Sequence, residues 1–205
     1  MQLNFYPCLS ALVLILPHKK VTPYGCSPMT MSFFTIGHST RSIAEFADLL
    51  RASQVELVVD VRHMPRSRTN PQFNREILPG ELQSFQIGYV HLAALGGLRS
   101  RGLETSPNLL WENSSFRNYA DYATTEEFHE GLTELRNLGH KRRSAIMCAE
   151  AVWWRCHRRI IADYLICAGE SVFHILGNRV ARALLTPGAI PQADGTVSYP
   201  PLEAR

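Results

Sequence analysis

The sequence predicts an α/β fold: three layers, with a mostly parallel sheet of about five strands and helices on both faces. Three observations predict it. Short runs rich in β-branched and aromatic residues alternate with segments of helical period, which implies βαβ units with right-handed crossovers. Those runs are apolar almost throughout, as strands covered on both faces are. Hydrophobic residues make up 45% of the 205 residues and charged residues 19%, enough for one sizeable core.

The elements follow in order. "FFTI" is the first strand and ends at Gly37. Ser42 with Glu45 makes a capping box, and Ile43, Phe46, Ala47 and Leu50 carry the helical period on. "VELVVDV" is a second, buried strand, and "SRTNPQFN" is a turn-rich loop. Pro79 starts a short helix through Leu82 and Phe85 that closes near Gly88, before the third strand "YVHL". Residues 93–114 are rich in glycine and serine and form a long loop, the kind that often carries function. "FRNYADYA" is a short helix. Thr124 with Glu127 reads as a second capping box, opening a helix whose face is Phe128, Leu132, Leu135 and Leu138 and which Gly139 stops. "SAIMCA" is the fourth strand, Cys156 to Ala168 the last helix and "SVFHIL" the fifth strand. The expected organisation is a leader over 1–30, a single domain over 31–185 and a Pro/Gly-rich tail over 186–205.

The leader's apolar run "LSALVLIL" is shorter than the ~20 residues a spanning helix needs. Its lysines follow rather than precede the run, unlike a signal peptide. It reads as disordered, or as preceding a true start at Met29 or Met31, with a weak membrane anchor as the rival reading. The five cysteines (Cys8, Cys26, Cys148, Cys156 and Cys167) are odd in number and irregularly spaced, which points to reduced thiols in a cytoplasmic protein. The net charge of +3 is too small to mark a nucleic-acid binder by itself, although arginines and lysines cluster at 62–68, 141–143 and 155–159.

Sheets of this kind bind ligands at the carboxyl ends of their strands. The polar residues there are His38, Ser39 and Thr40, then Asp60 and Arg62, then His91, then Cys148 and Glu150. Ser39 and the following amides, with Arg62, Arg66 and Arg158, are the candidate anion-binding groups. Asp60, His38 and Glu150 are the candidate proton-handling groups, and Cys148 the candidate nucleophile. Structural readings compete with each: "GHST" as a plain strand-to-helix turn, Asp60–Arg62 as a simple ion pair, Cys156 as a core residue, Trp153 and Trp154 as helix-entrance packing.

No metal or cofactor is expected. Cys148 and Cys156 are separated by seven residues, no two-residue cysteine spacing occurs, and the adjacent Cys156 and His157 would point to different helix faces. A phosphatase-type cradle would need an arginine where Trp154 stands; Arg155 comes one position late.

The segments "FTIGHSTRS", "ELVVDVRHMPRSRTNPQFN", "YVHLAALGG", "FRNYADYATTEEF", "IMCAEAVWWRCHRRIIADYL" and "VFHILG" together resemble the domain of unknown function family 488, which is widespread in bacteria. The resemblance runs from about Phe33 to Leu202 and implies no established activity. Its motif positions here include Gly37, His38, Ser39, Asp60, Arg62, Pro65, Arg66, Cys148, Glu150, Cys156, His157 and Arg158. The loop 151–154 departs from the family pattern by being apolar and aromatic. The leading functional expectation is an enzyme acting on a small anionic ligand, nucleotide- or phosphosugar-like. The alternatives are a nucleic-acid-associated accessory protein, using "RHMPRSR" and "KRR" on phosphates, and a ligand-binding module without catalysis.

Overall fold

The computed structural model describes residues 32–202. The expected leader, with Cys8 and Cys26, lies outside the described residues.

Six strands form one sheet: β1 (Phe33–Gly37), β2 (Leu57–Asp60), β3 (Gly88–His91), β4 (Ser144–Cys148), β5 (Val172–Leu176) and β6 (Arg179–Arg182), in the order β3-β2-β4-β1-β5-β6. The first five are parallel, as expected. The sixth is antiparallel to β5 and joined to it through Gly177, whose φ of 58° suits a residue without a Cβ. Sequence reading misses β6 because all four of its residues are exposed, so it carries no burial pattern. Its arginines at 179 and 182 blunt the open edge.

Helices cover both faces. On one face lie α1 (Ile43–Ala52) and α2 (Leu78–Gln83), whose Phe46, Leu50, Leu78 and Leu82 pack with Phe34, Ile36, Val58 and Met147. On the other lie α3 (Ser114–Tyr122), α4 (Glu126–Gly139) and α5 (Arg158–Cys167), whose Phe128, Leu132, Leu135, Ile160 and Ile161 pack with Phe33, Leu57, Val59 and Ile146. The strands therefore send successive side chains to opposite cores.

The first capping box forms as expected: the Ser42 hydroxyl accepts from the Glu45 amide, and the Glu45 carboxylate accepts from the Ser42 amide. The second box does not form, and the cap falls one residue later. Thr125, not Thr124, caps α4 by accepting from the Phe128 amide, while the Thr124 hydroxyl donates to the Asp121 carbonyl in the preceding turn.

Residues 186–202 lie against the α5 side. A small hairpin of β7 (Ile190–Pro191) and β8 (Val197–Ser198) leads to Tyr199, which is fully buried. The Tyr199 hydroxyl donates to Asp163 of α5 at 3.0 Å, and the Thr186 amide donates to the same carboxylate at 2.8 Å. Burial pushes the Asp163 carboxyl up from its usual range, and these donors only partly offset it.

Candidate functional site

The strand order creates a switch point. The chain leaves β1 for β2 by way of α1 on one face of the sheet, and leaves β4 for β5 by way of α5 on the other, so the loops after these two adjacent strands cross and pass to opposite faces. Open α/β sheets bind ligands in such crevices. Gly37 ends β1 here, and a Cβ on it would lie 1.8 Å from the Glu150 carbonyl oxygen. Only glycine lets the loop after β4 cross over β1 this closely.

Because side chains alternate along β2 and β4, Asp60 falls with Val58 on the α1–α2 face, and Cys148 falls with Ile146 on the α5 face. Each begins a separate cluster.

On the first face, Asp60 is fully buried and holds Arg62 through both carboxylate oxygens, at 2.9 Å to Nε and 2.6 Å to NH2. Tyr89 donates to the same carboxylate at 2.8 Å. The Arg62 guanidinium also donates to the Phe73 carbonyl at 2.7 Å and to His38 Nε2 at 3.1 Å. His38 Nδ1 donates to the Ser39 carbonyl at 2.8 Å, so the ring is neutral with its lone pair on Nε2, facing Arg62. Its ring stacks on Phe73 at 4.2 Å. Burial, reinforced by Arg62, lowers the His38 pKa to about 4. Four of the five Arg62 N–H groups are thereby engaged, leaving one on NH1.

This cluster walls a cavity of about 430 Å³ lined by His38, Ser39, Arg62, Arg66, Asn70 and Glu150 among others. Ser39 is half-buried at its rim with φ 51°, left-handed backbone that a non-glycine residue holds at a cost of ~1–2 kcal/mol. The Ser39 amide donates to the Ala149 carbonyl, continuing the β1–β4 ladder beyond the strands. At the start of α1 the capping box occupies the Ser42 and Glu45 amides. Arg66 is exposed, 3.2 Å from Glu76.

On the second face, Cys148 Sγ lies 4.0 Å and Cys156 Sγ 3.6 Å from His157 Nδ1. The three donor atoms all fall within 4.8 Å of one another. Cys156 precedes α5 with φ −133° and ψ 144° after a short 3₁₀ turn at Trp153–Arg155, so it is extended rather than helical. That corrects the expectation that Cys156 and His157 diverge: the divergence holds only for two helical residues. The hydrogen bond with Cys156, then burial, push the Cys148 thiol well up. For Cys156 burial acts upward too, but the Cys148 hydrogen bond and the nearby His157 and Arg158 outweigh it and hold the thiol well down. Arg158 is fully buried; its Nε donates to Cys156 Sγ at 3.2 Å and its NH2 to the Glu150 carbonyl. Its guanidinium thus faces protein groups beneath the 149–151 loop. A second, smaller cavity of about 160 Å³ opens beside Cys156 and His157, and Glu150 lines both cavities.

Of the remaining candidates, His91 donates through Nε2 to the Arg62 carbonyl, bracing the loop after β2. Trp153 stacks flat on His174 at 4.3 Å, whereas Trp154 is half-exposed. The convergence of Cys148, Cys156 and His157 was the feature least visible in the sequence. Its one signal there is the adjacency of cysteine and histidine at a helix start.

No curated protein and no solved structure matches this chain. The model of one family, described as "Domain of unknown function DUF488", matches residues 42–165, a span that holds Asp60, Arg62, Cys148, Glu150, Cys156 and His157. The chain with its paired clusters at the β1–β4 switch point belongs to that family.

Proposed function

We propose that the protein binds a small anionic compound, of nucleotide or phosphosugar size, in the 430 Å³ cavity at the carboxyl edge, with Glu150 as the group that exchanges protons with it. The observation that carries this reading is convergence. Residues drawn from the segments 38–40, 62–70 and 149–151, far apart along the chain, line one cavity whose wall includes a guanidinium locked by a buried carboxylate. Such a locked arginine presents its remaining N–H without the rotamer entropy a free side chain would lose. Arg66, loosely held at the rim, supplies a second cation, and the left-handed Ser39 holds its residue at the mouth.

A nucleic-acid surface is less well supported, because the basic segments do not adjoin. "RHMPRSR" follows the carboxyl end of β2, whereas Arg142 and Arg143 precede the amino end of the parallel neighbour β4 and donate to the Glu56 and Ser53 carbonyls.

Thermal-shift screening with nucleoside monophosphates and sugar phosphates tests the reading. At least one class should raise the melting temperature with concentration, as mass action requires. Arg66→Ala should abolish that shift while leaving the unliganded melting temperature unchanged, since its ion pair is exposed. If no phosphorylated compound shifts the transition, the cavity is not an anion site.

A further inference from the structure

On the α5 face, the geometry points to a metal site: we propose that Cys148 Sγ, Cys156 Sγ and His157 Nδ1 hold a zinc-class cation, with its fourth position open to the 160 Å³ cavity beside Gly97, Phe116, Glu150 and Arg155. Zinc bound by sulfur at about 2.3 Å and imidazole nitrogen at about 2.0–2.1 Å puts neighbouring donors about 3.5–3.8 Å apart in a tetrahedron. The two sulfur-to-nitrogen distances, 3.6 and 4.0 Å, are already close to that edge.

The histidine is also set for the task. Its Nε2–H donates to the Val61 carbonyl at 3.0 Å, so in the neutral ring the lone pair is on Nδ1, the atom facing both sulfurs. A hydrogen bond on the far ring nitrogen is the usual means of fixing a ligating histidine. Gly97 lies against this ring: a Cβ there would fall 2.3 Å from Nδ1. Thiolate and imidazole donors select zinc or another soft divalent ion over magnesium or calcium. With three protein ligands and an open position, the site is of the type in which a bound water is polarised. Glu150, lining the same cavity, stands where it can take that water's proton.

Cobalt(II) titration of the reduced full-length chain reads the site directly. One equivalent should give thiolate-to-cobalt charge transfer in the near ultraviolet and the intense visible bands of four-coordinate cobalt, and zinc should displace both. Cys148→Ser, Cys156→Ser and His157→Gln should each lower cobalt affinity by at least ~100-fold, the upper end of what losing an outer hydrogen-bond partner does. A Cys8→Ser/Cys26→Ser/Cys167→Ser triple variant should titrate like the parent. Because the spectrum of the parent chain needs no substitution, a variant that misfolds does not weaken the test. Octahedral cobalt without thiolate bands overturns the proposal. So do thiolate bands lost in the triple variant, or Cys148 and Cys156 alkylating equally fast with and without zinc.

Discussion

The two faces of the β1–β4 crevice use the same ingredients, a histidine and its polar neighbours at strand ends, and reach opposite results. On the α1–α2 face, Asp60, Arg62, Tyr89 and His38 satisfy one another almost completely. On the α5 face, Cys148, Cys156 and His157 bring their sulfur and Nδ1 atoms within 4.8 Å of one another. A closed network makes a rigid wall. A convergent one gathers ligand-type atoms around a common point, which is what the proposed metal site rests on. The difference between the two faces lies in how the groups are paired rather than in residue type.

The sharpest way to break this comparison is to open the closed network. Asp60→Asn leaves the Arg62 guanidinium buried without a counter-charge and should destabilise the fold by ~3–5 kcal/mol, measured by denaturant unfolding. The Asp60→Leu/Arg62→Met double variant should recover much of that loss. A single substitution that costs under ~1 kcal/mol would show the network to be open to solvent.

Proton linkage gives a second, smaller effect. Burial lowers both His38 and His174 from 6.5 to about 4. Between those values the unfolded chain takes up protons that the folded chain refuses, so stability is full above about 6.5 and declines as pH falls toward 4. By about pH 5.5 the combined loss should already be on the order of 3 kcal/mol, read from melting curves across that range. His174→Gln should flatten the profile partially, leaving the share that belongs to the closed network. An unchanged profile in that variant would assign the whole slope to other groups.

The smallest expected effect lies outside both clusters and calibrates them. Tyr199→Phe removes the hydroxyl that Asp163 accepts from and should cost ~1 kcal/mol, since the Thr186 amide still meets that carboxylate. A loss as large as that of Asp60→Asn would mean that pairing with a cation is not what separates the first face from an ordinary buried carboxylate.

How much of this was legible beforehand differs by element. Five strands and their helices could be read from apolar runs and caps, because each signal is local. Thr125 displaced Thr124 as the cap by one residue, since both are good caps and only the turn geometry chooses. The exposed β6 left no pattern to read. Tyr199 sits in a Pro/Gly-rich stretch, and its burial depends on where α5 passes. For the site, the candidates at strand ends were visible because parallel topology sends them to one edge. That Arg158 points into the protein, and that Cys156 joins Cys148, was not.

The amino-acid sequence by itself determined the layered α/β class, the strand and helix order and the edge at which a site would be built. Periodicity and capping act over a few residues and do not need the rest of the chain. Tertiary structure decided which of those edge residues meet. The alternation of β2 and β4 splits Asp60 and Cys148 onto opposite faces, and one extended residue before α5 swings Cys156 beside His157. Distances of a few ångströms between segments nearly a hundred residues apart depend on how the whole sheet packs, and no local pattern encodes them.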